Sequence, residues 1–449
     1  MTVPAPPPHA RSAPRAWLAM IPMLLGILIG SLTISAATTA LPAMRIDLGL
    51  SEAEGIWIID VYPLALAATL VVAARAGDAF GRRRIMVLGL IGFALLNLAG
   101  GFVSDGLLLI VIRALLGLAE AMVVASVVAT IGSHYQARER VLAYGLWTAT
   151  FGAGSAFGPV VGGLLAEGPG WRWILLGCVP LAVIAIGLAL WLVPESRTPT
   201  QPHWDAASIL TSVVALAGIV FALQHLIATP IPAAVAAAVG VAALVVFVRR
   251  QLHLADPLID VRLFTISGFT DAYARILVST GASAATVYLT SVHLQEVRGE
   301  SPVVAGLILL PQAITIAVGG VAAPAALRWF SSGGVMMSAL ILQAAGLAWL
   351  AFDPAVMVVP LAMIGAGFGV IGTLAATALF DATTPDQAGQ VGAVQEVGFS
   401  LGNGLGVAVF GTIAVTIVTG GFTVALAVSA VAVLAAALLP LTRRNPAVA

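Results

Sequence analysis

The chain has 449 residues, of which 60% are apolar and only 9% are charged, and its mean hydropathy is +1.06. A soluble domain keeps about a quarter of its residues charged, so this composition excludes a soluble globular protein. The formal net charge is zero, which gives no electrostatic basis for binding nucleic acid. Every basic residue is arginine, and without lysine the chain has neither an ATP-binding P-loop nor a Schiff-base cofactor. The sequence therefore predicts a membrane protein without a cofactor.

Apolar runs of about 20 residues recur along the chain, and this length crosses a ~30 Å hydrocarbon layer as an α-helix. The runs are continuous rather than alternating, which favours helices over a β-barrel. The sequence predicts an all-α polytopic membrane protein with fourteen spans. They lie near 17–41, 55–75, 85–104, 107–132, 141–166, 172–193, 206–227, 232–248, 266–293, 303–326, 334–352, 356–379, 391–416 and 422–441.

The arginines predict how the chain is oriented, because positively charged loops stay in the cytoplasm. With the N-terminus inside, the inner loops and termini carry fifteen arginines and the outer loops carry only three. This bias predicts an even number of spans with both termini cytoplasmic. The bias toward Ala, Gly, Val and Arg is typical of a GC-rich bacterial genome, so we expect a bacterial inner-membrane protein.

The loop between the second and third spans reads Gly-Asp-Ala-Phe-Gly-Arg-Arg-Arg over residues 77–84. It resembles the loop signature of the major facilitator superfamily. The resemblance implies that Asp78, Gly81, Arg82 and Arg83 form a cytoplasmic latch, which pairs with helix ends when the inner gate is shut. The loop departs from the family pattern at Ala79, where a basic residue is usual.

The fifth span carries glycine and proline at the spacing of the antiporter signature found in the exporters of that superfamily. The matching residues are Gly145, Gly154, Gly158, Pro159, Gly162 and Gly163. Small residues at four-residue spacing let helices approach closely, and a proline inside a helix removes one backbone hydrogen bond. The resemblance implies that this helix packs tightly and shapes a central cavity.

Two further segments resemble the fourteen-span drug:proton antiporters, among them the quaternary-ammonium pumps. They are residues 57–62, which hold Trp57, Asp60 and Tyr62, and residues 396–403, which run from Glu396 to Asn403. The resemblance implies six-helix bundles within 1–193 and 266–449, joined by an inserted helix pair and its linkers at 194–265. It also implies proton-coupled export of lipophilic cationic drugs by a monomer in the lipid bilayer. The pumps for divalent cations in this branch carry extra acids where this chain has Thr33 and Ile316, so we expect monovalent cations.

The sequence also allows other functions. Export of a neutral or anionic metabolite, or of a self-made antibiotic, is the alternative, since Arg113 and Arg275 lie within spans and would suit an anion. A membrane enzyme would need clustered polar residues at one interface, which the sequence lacks. The antiporter signature argues against a channel.

Ionisable groups inside spans are expensive and mark function by default. Asp60 and Glu396 have no cationic residue nearby in sequence, so we expect each to carry a proton or to bind substrate. Glu120 lies seven residues after Arg113, on the same helical face, and Arg113 either holds it ionised or leaves it free to exchange protons. The alternative for each acid is a structural interhelical hydrogen bond.

Aromatic and polar side chains in the spans are predicted to line the cavity and stack on a flat cation. Aromatic residues near span ends are more often interfacial anchors. His225 and His293 lie near the outer surface, and neither is assigned a proton role. The predicted cavity residues are Trp57, Tyr62, Trp147, Phe151, Tyr288, Phe399 and Asn403.

Overall fold

The computed structural model of the chain describes residues 17–197, 205–225, 229–255, 257–384, 387–417 and 420–438. Within these ranges it has fourteen α-helices and no β-strand. The first eight are α1 (Met20–Leu48), α2 (Glu52–Phe80), α3 (Arg82–Gly100), α4 (Gly106–His134), α5 (Ala137–Glu167), α6 (Arg172–Leu192), α7 (Ala206–His225) and α8 (Pro230–His253). The other six are α9 (Ser267–Val292), α10 (Pro302–Ala326), α11 (Ser332–Phe352), α12 (Val358–Asp381), α13 (Ala388–Thr416) and α14 (Gly421–Ala437).

Each helix overlaps the span predicted for it, and several extend beyond the apolar run because local caps decide where they end. α1 continues to Leu48 and stops at Gly49, which has a left-handed φ of 63°. Ser51 and Glu54 then form a capping box that starts α2. Ser and Glu in this arrangement satisfy backbone donors that the first helical turn leaves unpaired.

Twelve of the described helices are long and apolar enough to cross a membrane. The other two are α9, which carries Asp271 and Arg275, and α14, whose described part has 17 residues. Both pack inside the helical assembly like their neighbours.

The packing of α1–α6 is repeated by α9–α14. In the first half α1 packs on α5 and α6, α2 packs on α4, and α3 packs on α4 and α6. In the second half, in the same order, α9 packs on α13 and α14, α10 packs on α12, and α11 packs on α12 and α14. The halves meet where α2 and α4 contact α13, and where α10 and α12 contact α5. The second and fifth helices of each half therefore form the seams.

The inserted helices α7 and α8 pack on each other, and α7 also contacts α2 and α13. The pair therefore covers one of the two seams between the halves and leaves the α5–α10 seam uncovered. An apolar groove of about 670 Å³ follows α2, α7 and α8, with Leu64 and Phe221 among its lining residues.

Candidate functional site

The glycines of α5 form a flat face against α1. A Cβ added to Gly154 would collide with Ser31, one added to Gly158 would collide with Ser35, and one added to Gly162 would collide with the backbone of Ala36. Ser35 donates a hydrogen bond to the carbonyl oxygen of Ser155 at 2.8 Å across the same contact. Any larger side chain at these positions would force α1 and α5 apart.

The other face of α5 lies directly against α10 of the second half. A Cβ on Gly145 would collide with the carbonyl oxygen of Gly320, and the ring of Pro159 lies 3.3 Å from where a Cβ on Gly306 would stand. Gly163 faces Val303 of the same helix, with a Cβ-to-side-chain distance of 3.2 Å. The signature glycines therefore bring α5 close to one helix of its own half and to one helix of the other.

The second half has a matching glycine face that the sequence prediction missed. Gly398, Gly402 and Gly406 of α13 pack against Tyr273, Leu277 and Gly281 of α9, and a Cβ on any of the three glycines would meet α9 atoms at less than 3 Å. Their four-residue spacing equals that of Gly154, Gly158 and Gly162, and comparing the two halves of the sequence would have found it.

Two buried acids lie on helices from opposite halves that contact each other. Glu120 of α4 is 4% exposed and Glu396 of α13 is 7% exposed, and these two helices contact each other where the halves meet. The Glu120 carboxylate packs against Gly30 of α1, where a Cβ would collide with it. Gln395 Nε2 donates to Glu396 Oε1 at 3.4 Å. Among the described residues no arginine forms an ion pair with either acid, and an unpaired charge out of water is unfavourable.

An aromatic cluster joins the two halves and includes Phe399, which follows Glu396 by three residues on α13. The Trp147 ring stacks on Phe151 with centroids 6.0 Å apart and lies 5.6 Å from Phe399. Phe368 meets Phe399 edge-on at 6.4 Å. The Trp147 indole nitrogen is buried and has no hydrogen-bond partner among the described residues. All four rings belong to helices that meet where the halves join (α5, α12 and α13), and Phe368 was not predicted.

Arg113 is placed inside the first half rather than beside Glu120. Its Nε donates to the Ile58 carbonyl oxygen at 2.8 Å, and its guanidinium carbon lies 5.1 Å from the Tyr62 ring centroid. No ion pair joins Arg113 to Glu120 among the described residues, because seven residues separate them by about 10 Å along the helix and Arg113 turns toward α2. Arg113 is 1% exposed and Tyr62 is fully buried, so neither lines an open cavity in this structure.

The other residues predicted from α2 face the inserted helix α7. Trp57 stacks on Phe221 with a centroid distance of 5.6 Å and lies 5.5 Å from the His225 ring. The Oδ2 atom of Asp60 lies 3.8 Å from Nε2 of His225. Asp60 therefore has a titratable partner that sequence reasoning did not assign, since no motif marks α7.

Tyr288 and Asn403 lie apart from these clusters. Tyr288 is 38% exposed, and its ring lies 3.2 Å from where a Cβ on Gly411 of α13 would stand. Asn403 is exposed on α13. Neither residue is brought together with the Glu120–Glu396 pair.

The predicted latch loop bonds to helix ends. Arg82 holds the Asp78 carboxylate with contacts of 2.9 and 3.2 Å, and donates to the Ala129 carbonyl at 3.1 Å and to Ser133 Oγ at 2.6 Å in the last turns of α4. The Asp78 carboxylate packs on Gly389, the second residue of α13, where a Cβ would collide with it. A carboxylate at a helix N-terminus interacts favourably with the helix dipole. The loop thus ties α2 to the start of a helix in the other half.

Glu195, after the end of α6, completes the loop and was not predicted. It accepts a hydrogen bond from the backbone nitrogen of Arg83 at 3.2 Å and lies 3.8 Å from the Arg83 side chain. Gly81 has a φ of 108°, and a Cβ there would collide with the Glu195 carboxylate. Glycine is therefore required at 81 both by its backbone conformation and by this contact.

A second contact closes the same end of the protein. Arg140 at the start of α5 donates to Asp381 at the end of α12 at 2.8 Å. Close to it, the Tyr144 and Phe380 rings lie 5.3 Å apart. We call the end that holds these contacts and the Asp78–Gly389 contact the latch end. There the two halves are in direct contact.

These features can be compared with known proteins. The sequence pattern of the Major Facilitator Superfamily matches residues 23–407. The chain is a major facilitator. It is 34% identical to the multidrug efflux pump LfrA of Mycolicibacterium smegmatis, covering 91% of this chain and 82% of that protein. It is 30% identical to the methyl viologen resistance protein SmvA of Salmonella typhimurium, covering 88% of this chain and 82% of that protein.

The all-α fold is confirmed by comparison with a solved transporter structure. The human organic anion transporter MFSD10 superposes with a TM-score of 0.72 at 14% identity, covering 97% of this chain and 100% of that one. At this identity the likeness concerns the fold alone. This major facilitator is therefore a polytopic all-α membrane transporter and not an enzyme, as the resemblance of its motifs implied.

Proposed function

We propose that this transporter exports lipophilic, monovalent cationic drugs such as quaternary ammonium compounds, in exchange for protons. The main support is the pair of buried acids Glu120 and Glu396, which lie on contacting helices of opposite halves and are accompanied by the Trp147–Phe399 aromatic cluster. The similarity to a multidrug pump and a methyl viologen resistance protein supports export of aromatic organic cations, of which methyl viologen is a divalent example.

The buried acids give a simple exchange rule. Two unpaired carboxylates in a site removed from water are unfavourable when ionised, so the empty site holds protons. A bound cation supplies the missing positive charge, and stacking on aromatic rings adds to its binding. Cation binding therefore releases a proton, and protonation releases the cation.

The exchange becomes transport if the site opens to one side at a time. We propose that the bundles within 1–193 and 266–449 rock about the seams, with 194–265 as an inserted pair, and that the latch end faces the cytoplasm. Gly389 and Glu396 are seven residues apart on α13 and so share one face. The helix that begins at the Asp78 contact, α13, therefore also carries Glu396.

The alternative substrate, an anion recognised by Arg113, is not favoured by the contacts. Both terminal guanidinium nitrogens of Arg113 are buried without hydrogen-bond partners among the described residues, and Tyr62 covers the group. An anion would have to enter the core of the first half to reach it.

The test separates proton coupling from recognition of substrate charge. In proteoliposomes with an imposed proton gradient, we expect Glu396→Gln to abolish uphill efflux of every substrate. Asp60→Asn should weaken mainly the efflux of cations such as ethidium, because the Asp60 side chain is 24% exposed whereas Glu396 is buried. Glu167→Gln removes an exposed acid at the end of α5 and serves as the matched control. Uphill efflux of any substrate by Glu396→Gln would contradict the proposal.

A further inference from the structure

The inserted helices α7 and α8 are joined at their base by a buried glutamine, which also holds the linker between α8 and α9 (residues 254–266). Gln251 of α8 is 3% exposed, and its Nε2 donates to Ser208 Oγ of α7 at 2.7 Å. Its Oε1 accepts a hydrogen bond from the backbone nitrogen of Leu258 in the linker at 2.6 Å. The base of the pair and the linker therefore form one hydrogen-bonded unit.

The linker is attached in turn to the second half. The backbone nitrogen of Asp260 donates to Oε1 of Gln390, in the first turn of α13 at the latch end, at 3.0 Å. Thr270 Oγ1 of α9 donates to the carbonyl oxygen of Phe264 at 2.6 Å. The Phe264 ring also meets Tyr273 of α9 edge-on, with centroids 5.1 Å apart. Two helices of the second half thus hold the linker, and the linker holds the inserted pair.

The contact of α7 with the first half is of a different kind. The Phe221 ring stacks on Trp57 of α2 with centroids 5.6 Å apart. His225 approaches Asp60 only to 3.8 Å, which is too long for a hydrogen bond, and among the described residues no hydrogen bond joins α7 to α2. Hydrogen bonds need a defined distance and angle, whereas aromatic pairs are favourable over centroid distances of about 4.5–7 Å. A shift of α7 along α2 therefore breaks fewer contacts than a shift of the linker on α9 and α13.

We propose that α7 and α8 move with the second half, as one body with α9–α14, and that α2 slides along α7 in every transport cycle. This inference rests on the proposed rocking of the bundles and defines where the boundary between the moving bodies runs. The boundary lies between α2 and the inserted pair. The first moving body then has the six helices α1–α6, and the second has the other eight.

The apolar groove beside α2 should change shape during this motion. Leu64 of α2 lines it together with Phe221 of α7 and Val235 of α8. Because these walls belong to different moving bodies, the groove widens or narrows as the halves rock. A covalent link across the groove should therefore hold the transporter in one state, whereas a link from α7 to α13 should not.

The experiment compares two reversible cross-links in the full chain with Cys178 replaced by alanine. A Cβ on Gly404 of α13 would lie 3.7 Å from the Cβ of Leu223 in α7, within the separation of about 3.5–4.5 Å that suits a disulfide. Gly404→Cys with Leu223→Cys therefore joins the pair to the second half. Leu64→Cys with Ala217→Cys, which both line the groove, joins the pair to the first half through a short bis-methanethiosulfonate reagent.

The readout is uphill ethidium efflux in proteoliposomes with an imposed proton gradient, before and after a reducing agent breaks the link. Each variant is thus its own control, and mass spectrometry verifies that the link has formed. We expect the disulfide between α7 and α13 to leave efflux unchanged. The link between α2 and α7 should abolish efflux until it is reduced.

The remaining outcomes separate this inference from the proposed function. Loss of efflux with the disulfide between α7 and α13, whether or not the link between α2 and α7 is tolerated, would overturn the assignment of the pair to the second half. The proposed function would then stand. Efflux with both cross-links in place would overturn the proposed rocking of the bundles, and this inference with it.

Discussion

Gly389→Ala is the sharpest perturbation of the latch end that the chain offers. The added methyl group would occupy the position of the Asp78 carboxylate. That carboxylate cannot move aside, because Arg82 holds it while also bonding to Ala129 and Ser133 in α4. The start of α13 must move instead, which separates the halves at this end.

The size of the effect follows from the packing. Inserting a methyl group into a well-packed site costs about 1–3 kcal/mol. Since about 1.4 kcal/mol is a tenfold change in an equilibrium, the population open at the latch end should rise roughly 5- to 150-fold.

The assay uses a cysteine that is buried when the latch end is closed. Val128 of α4 is fully buried, and its side chain lies 3.0 Å from where a Cβ on Gly392 of α13 would stand. The measurement is the rate at which Val128→Cys reacts with a maleimide, in a chain with Cys178 replaced by alanine. We expect Gly389→Ala to accelerate this reaction roughly 5- to 150-fold. Gly404→Ala, also in α13 but with only ordinary contacts at 3.7 Å, should leave the rate unchanged. Equal rates in both variants would refute the reasoning.

Two further predictions concern stability. Gly158→Ala would collide with Ser35 of α1 and should lower the thermal unfolding midpoint by the equivalent of about 1–3 kcal/mol, whereas Gly177→Ala in α6, with open space around it, should leave the midpoint unchanged or raise it; equal losses would contradict the close α1–α5 contact. Arg250 lowers the pKa of the Asp205 carboxyl, so its stabilising effect is present above the ordinary pKa of about 3.9 and is lost as the pH falls below it. Asp205→Asn should therefore lower the unfolding midpoint, and the size of this loss should stay the same at every pH from about 8 down to about 5. A loss that vanished within that range would count against the Asp205–Arg250 pair.

The sequence predicted the spans and the faces of its motifs better than it predicted the partners of individual side chains. Apolar run length predicts a spanning helix, and four-residue glycine spacing indicates a close contact without saying with which helix. The contact of Gly145 with Gly320, and of Asp78 with the start of α13, requires knowledge of how the halves meet. Neither Glu195 nor His225 stands in a motif, so only the fold shows what they contact.

Periodicity could not decide which group Arg113 contacts. Helical spacing correctly placed Arg113 and Glu120 on one face of α4, but a long flexible side chain chooses among several neighbours. The carbonyl of Ile58 and the ring of Tyr62 lie closer to it than the acid two turns away.

The backbone contact between Gly145 and Gly320 has a mechanical consequence. Where helices of two moving halves meet through side chains, each change of angle must break interdigitated packing and repopulate rotamers. Gly145 and Gly320 bring the backbones of α5 and α10 into direct contact, with no side chain between these two residues. The angle between the helices can therefore change here without a side chain changing its rotamer. If the halves rock as proposed, this contact offers less steric resistance than the latch end, where the Arg140–Asp381 and Asp78–Gly389 contacts join the halves.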